Sequence, residues 1–243
     1  TLPDAVVCNS RFTASQFGPR RNVRIVPNGL PVEKVRAERP AEEVRAELGI
    51  EPEEKLVGAA GRLDRWKGMH TFVEAAGAVA EKHPCAKFAI AGGPIYGDEE
   101  YETELKESAK GTGLGDRMIF TGFRKDIYDV VNAFDIYVHP SQEPEPFGRG
   151  IVEAMLLEKP VVAPSAGGPL EIVLGGGTGL FFTPGDAESL SAAVSSILEE
   201  SGRAEDMGKK GRARAEKLFS ADRCIRGITN IIEETSRLEP AAV

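Results

Sequence analysis

Short β-branched or apolar runs alternate with helix-periodic stretches along nearly the whole chain, and no other feature restricts the fold so tightly. Asp4–Cys8, Val23–Pro27, Lys55–Ala60, Lys87–Ala91, Met118–Thr121, Ile136–His139, Pro160–Ala163 and Gly179–Phe182 read as strands. Between them, Val73–Lys82, Tyr101–Gly111, Lys125–Ala133, Gly150–Leu157, Pro169–Leu174 and Ala187–Glu199 space their apolar residues helically. Strands that alternate with helices build βαβ units. The expected fold class is therefore α/β, with a doubly wound, mostly parallel sheet. A helix-rich tail, Glu205–Leu238, is expected to pack across the outside.

Composition narrows the function. The chain has 243 residues, 30 Lys and Arg against 38 Asp and Glu, for a net charge of -8. A nucleic-acid binder or a general binder of anionic membranes needs a net basic face, so neither is expected. Cys8, Cys85 and Cys224 are far apart and form no CxxC, which points to a reducing, cytoplasmic compartment. No apolar run approaches the roughly 18 residues of a membrane span. Dinucleotide (GxGxxG) and P-loop (GxxxxGK[ST]) fingerprints are absent, as is a DxD pair, and His70, His83 and His139 have no metal-ligand spacing. No cofactor and no metal are expected.

Ligands of doubly wound sheets bind beyond the carboxyl ends of the strands. The loops there are "GRLDRWKG", "GGPIYGD", "GFRKD", "PSQEPEPFGRG" and "PSAGGP", so glycine, proline and polar groups gather on one rim. "GRLDRWKG" carries Arg62 and Lys67 five residues apart. A guanidinium and an ammonium can converge on one diphosphate in place of a divalent cation, although most such charges are simply solvated. In "EPEPFGRGIVEA", Gly148, Arg149 and Gly150 open a helix whose N–H groups favour an anion. Glu153 follows five residues after Gly148, about 7.5 Å along the axis at ~1.5 Å per residue, a reach suited to ribose hydroxyls. Glu145 lies on the loop to the other side, where a sugar would hang. The two acids thus bracket an anion without touching it.

"EPFGRGIVE" resembles the Glu-x7-Glu motif of retaining GT-B glycosyltransferases, most closely the family-four group. "VRIVPNGLPVEKV", "GRLDRWKGMHTFVEAA", "FAIAGGP", "IFTGF", "AFDIYVHPSQEPEPFG", "EAMLLEKPVVAPSAGGPLEIV" and "GTGLFFTPGDAESLSAAV" are similar to that family's successive signatures, in order, over residues 1 to about 238. The resemblance implies a Rossmann-like, nucleotide-sugar-binding C-terminal domain of a GT-B fold. It implies that Arg62 and Lys67 bind the donor diphosphate and stabilise the leaving nucleotide. Glu145 would contact hydroxyls of the transferred sugar, with Phe147, Gly148, Arg149 and Gly150 lining sugar and phosphate. Glu153 would hold the ribose, and Phe123 and Arg124 would meet the base, largely through the main chain. Glu145, Arg62 and Lys67 would be the catalytic set.

The same resemblance assigns residues 1–20 to the last strand and helix of an N-terminal acceptor domain, and 21–243 to the donor domain. The expected activity is metal-independent transfer of a sugar from a nucleotide-diphosphate sugar to an acceptor hydroxyl, with this chain alone inactive. Peripheral membrane contact through the remainder of a longer protein stays open. A GT-B-fold sugar-nucleotide epimerase and a non-catalytic binding module are the alternatives, and "EPFGRGIVE" counts against the epimerase. Four further residues have bland readings. Glu143 is expected to be a solvated loop charge, His139 a packed core histidine, Glu171 an acid at its own helix start, and Trp66 either a donor shield or a loop cap.

Overall fold

The computed structural model describes residues 4–94 and 99–236. Residues 95–98 of the "GGPIYGD" loop, and 237–238 of the expected tail, lie outside the described residues. Strands β1 (Val6–Cys8) and β2 (Val23–Ile25) flank the short helix α1 (Arg11–Ser15) and pair with each other in parallel. Of β1 only Cys8 is buried, and Val7 is 44% exposed. The expected boundary after residue 20 falls between the two partners of this small sheet.

Six strands form the main sheet: β3 (Lys55–Ala60), β4 (Ala86–Ala91), β5 (Met118–Gly122), β6 (Ile136–Val138), β7 (Val161–Pro164) and β8 (Gly179–Phe182). Their order is β5-β4-β3-β6-β7-β8, parallel throughout. The chain winds outward from β3 to β5 and then returns to lay β6 against the other side of β3. Adjacent strands whose connections leave in opposite directions open a crevice at their carboxyl ends. That crevice lies between the loops following β3 and β6.

Helices cover both faces, so interior strands read as continuous apolar runs. Alternate residues of a strand face opposite ways: Val57 and Ala59 enter one core with Phe72, Phe88 and Val194, while Leu56 enters the other with Phe134, Tyr137 and Ile151. The helices are α2 (Ala41–Glu47), α3 (Met69–Lys82), α4 (Glu99–Gly111), α5 (Ile127–Asn132), α6 (Arg149–Leu156), α7 (Pro169–Ile172), α8 (Ala187–Leu198), α9 (Ser201–Leu218) and α10 (Ala221–Ser236). Helix α3 starts four residues earlier than the apolar pattern from Val73 predicts, because Gly68 at its N-cap takes φ 69° and releases Met69 directly into the helix. Helix α2 has no counterpart in the sequence reading, although Pro40 and Gly49 bracket it. Helix α10 returns to the small sheet: a side chain on Gly227 would press on Val26. Among the described residues, no helix is long and apolar enough to cross a membrane.

Candidate active site

The loops after β3 and β6 meet over the crevice. After β3 the chain passes Arg62 and makes a 3₁₀ turn, Arg65–Lys67. After β6 it runs through His139 and Ser141 to Glu145, then into α6. The loops are tied together by Gln142, whose N–H donates to the Trp66 carbonyl at 3.0 Å. The Gln142 side-chain amide lies 2.7 Å from His70 Nε2 and donates to Thr71 Oγ1 at 2.8 Å.

Glu145 is the centre of this junction. It is 5% exposed, and three groups converge on its Oε1: Lys67 Nζ at 2.5 Å, Ser141 Oγ at 2.6 Å and His139 Nε2 at 2.8 Å. Burial alone pushes this carboxyl pKa up. The His139 and Lys67 hydrogen bonds and charges outweigh burial and hold it well below the usual carboxylate range. Glu145 is thereby ion-paired with the cationic loop. His139 is buried, as expected, yet it serves as a hydrogen-bond partner of Glu145 rather than as apolar filling. A histidine two residues after a buried tyrosine on one strand is the signal that could have shown this: Tyr137 and His139 share a face, with ring centroids 6.4 Å apart.

Glu153 sits in a different environment. Arg149 Nε reaches its Oε1 at 2.9 Å across one helical turn, and the Tyr128 hydroxyl lies at 3.4 Å. Burial raises its pKa, and Arg149 only partly opposes this. The two acids are therefore pushed in opposite directions, Glu145 toward permanent charge and Glu153 toward the neutral form. Gly148, the N-cap of α6, has φ 106°, which a residue with a Cβ rarely adopts. Gly150 faces the Tyr137 hydroxyl and Phe147 is buried edge-on against Phe219, so both hold the loop down. Glu143 is exposed, as expected.

Arg62 is exposed, and beside it a cavity of ≈ 400 Å³ opens between Gly61, Gly92, Gly93, Phe123 and Ile127. Its floor is backbone: a Cβ on Gly92 would lie 1.7 Å from the Gly61 carbonyl oxygen. Phe123 is 77% exposed at its edge. The Arg124 guanidinium is committed elsewhere, to Asp126 and Glu47 at 2.6 Å each, and holds the Asp126 pKa down at about 2. Only its main chain remains to meet a ligand. Glu171 lies in the first turn of its own helix, as expected, and in addition accepts the Arg11 and Phe12 N–H groups at 3.0 Å each, at the start of α1. The small sheet is thereby fixed beside the Pro146 loop, which Thr13 also touches.

A basic pair, two acids of opposite tendency and a glycine-started helix thus meet at one switch point. The sequence profile of the family Glycosyl transferases group 1 matches residues 40–214. The chain belongs to that family. It is 31% identical over 236 residues to the lipopolysaccharide core biosynthesis mannosyltransferase LpsB of Rhizobium meliloti, covering 96% of this chain and 66% of LpsB. Among solved structures it is similar to Anabaena HepE in complex with UDP and glucose, with a TM-score of 0.84, 32% identity, and coverage of 97% of this chain and 63% of HepE. The fold is that of a GT-B C-terminal domain. The crystallised C-terminal domain of the Francisella tularensis group 1 protein LpcC matches over its whole length and 79% of this chain, with a TM-score of 0.71 and 24% identity. The chain spans between about half and two thirds of the length of the curated relatives it matches.

Proposed function

We propose that this chain is the donor-binding part of a retaining, metal-independent glycosyltransferase that moves a sugar from a nucleotide-diphosphate sugar to an acceptor hydroxyl. The observation that carries the reading is the convergence of Arg62, Lys67, Glu145 and the start of α6 at the switch point between β3 and β6. HepE, a relative at 32% identity, has been crystallised with UDP-glucose, which supports a sugar nucleotide as donor.

In this proposal the diphosphate lies between the Arg62–Lys67 loop and the N–H groups at the start of α6. Two cations and a helix dipole offset its charge, and they do so more strongly as the sugar–phosphate bond breaks and charge grows on the leaving nucleotide. Glu153 accepts hydrogen bonds from the ribose, and Glu145 from hydroxyls of the transferred sugar. Phe123 and the Arg124 main chain face the base across the cavity. The acceptor would be held by the part of the relatives' length that this chain does not span. Proximity contributes on the order of 7–11 kcal/mol only when both reactants are held together, so the chain alone binds donor and transfers nothing. The three cysteines, none in a disulfide, support a cytoplasmic location.

The test is calorimetric titration of the chain with UDP-glucose, GDP-mannose and the bare diphosphates, with and without EDTA. Binding undiminished by EDTA is expected for at least one of them. Binding that disappears in EDTA, or that is absent for every nucleotide, overturns the reading.

A further inference from the structure

The chain has a single tryptophan, and it stands between the two cations of the anion site. Trp66 is fixed at two points. Its indole N–H donates to Asp64 Oδ2 at 2.7 Å, and its carbonyl accepts the Gln142 N–H at 3.0 Å. Lys67 Nζ lies 4.1 Å from the ring centroid and Arg62 Cζ lies 6.0 Å from it. Both are within the roughly 6 Å over which the quadrupole of an indole attracts a cation. One anchored ring therefore serves both positive side chains.

Lysine and arginine side chains carry large rotamer freedom, which a ligand must otherwise freeze on arrival. Here Lys67 is already confined between a carboxylate oxygen at 2.5 Å and an aromatic face, while Arg62, exposed, has that same ring as its guide. Like charges brought together repel, and the negative face of the indole offsets part of that repulsion. We propose that Trp66 is the positioning residue of the anion site, holding Lys67 and Arg62 on one ring so that both are set before a diphosphate enters. This rests on the reading of Arg62 and Lys67 as diphosphate ligands. A second consequence follows. A diphosphate bound between Lys67 and Arg62 brings negative charge beside the chain's only indole, so Trp66 emission reports occupancy.

The probes are inorganic pyrophosphate, UDP and uridine, titrated calorimetrically into the wild-type chain, Trp66→Phe and Trp66→Leu. Trp66→Leu is expected to weaken pyrophosphate and UDP about three- to tenfold, while Trp66→Phe, which keeps a ring, stays within about threefold. Uridine binding is unchanged in both. A merely structural Trp66 would lower uridine affinity in parallel, and that parallel loss overturns the proposal, as does pyrophosphate binding by Trp66→Leu within twofold of wild type. The wild-type protein supplies an arm that needs no variant to fold: its emission changes saturably with pyrophosphate and not with uridine, and an emission blind to pyrophosphate overturns the proposal. If wild-type protein binds neither pyrophosphate nor any of the nucleotides titrated above, the donor-site reading falls and this proposal with it. If wild type binds and Trp66→Leu binds equally well, only the role of Trp66 falls.

Discussion

Lys67 and Glu145 arrive on loops from two adjacent strands and meet at 2.5 Å, with their side chains only 18% and 7% exposed. Desolvation of both groups is offset by their mutual attraction together with Ser141 and His139. Removing one partner leaves the other buried and uncompensated, which costs about 3 kcal/mol. Glu145→Leu is therefore expected to lower unfolding stability by that order, and the Glu145→Leu/Lys67→Met double variant to recover most of the loss. Urea denaturation of the four proteins completes the cycle. Strict additivity would show that the pair does not couple.

The same pair governs ligand charge. Lys67→Ala should weaken a nucleoside diphosphate about ten- to a hundredfold and leave the nucleoside little changed, since a charge-assisted contact contributes roughly 1.5–3 kcal/mol. Glu145→Gln should act oppositely on the bare diphosphate, because Lys67 loses its internal counter-ion: UDP tightens by on the order of threefold. The extra affinity contributed by the sugar should fall. Calorimetry with UDP and UDP-glucose checks both, and equal weakening of the two ligands in Glu145→Gln contradicts the assignment.

Glu153 predicts a pH dependence. Its pKa is raised by burial, so on acidification it becomes neutral earlier than an ordinary glutamate near 4.3. A neutral carboxyl accepts ribose hydroxyls less well than a carboxylate, so affinity falls as pH drops through this raised pKa. Glu153→Gln removes that component. Kd profiles of UDP for wild type and Glu153→Gln, compared from about pH 7.5 to pH 4.5, should diverge most at the neutral end. Parallel profiles would exclude Glu153 as the titrating group.

Glu171 joins α7 to the first turn of α1 by two charge-assisted bonds to backbone N–H groups. Glu171→Ala should cost about 1 kcal/mol, as for loss of an N-cap, and should act locally. Hydrogen exchange at the Arg11 and Phe12 amides reads it directly. Acceleration there with an unchanged main sheet is expected, and unchanged protection would show that the cap contributes nothing.

The alternation of strands and helices was legible because buried parallel strands leave unmixed apolar runs, as at Lys55–Ala60. Ends of elements were less legible: the first turn of α3 follows a polar loop, and its start depends on the backbone of Gly68 rather than on any periodicity. Arg62, Lys67, Glu145 and Glu153 were marked by motif and by position on the rim. What the sequence could not convey was pairing between segments separated by 72 to 160 residues. Lys67 to Glu145, Gln142 to His70 and Glu171 to Arg11 depend on strand order, which no local pattern encodes. The burial of His139 was legible, but its hydrogen bond to Glu145 was not, its partner being six residues on and reached through the fold of the loop.

The contact between Gly92 and the Gly61 carbonyl has a practical consequence. Where two main chains touch, no side chain can be introduced, so that part of the cavity offers a protein engineer nothing to vary. Attempts to retune which nucleotide enters must work from the walls. Phe123 and Ile127 are replaceable without parting the strands, whereas any residue larger than hydrogen at position 92 would pry β4's loop off β3's. A library confined to those walls should keep the sheet intact, and one that includes position 92 should return mostly unfolded protein.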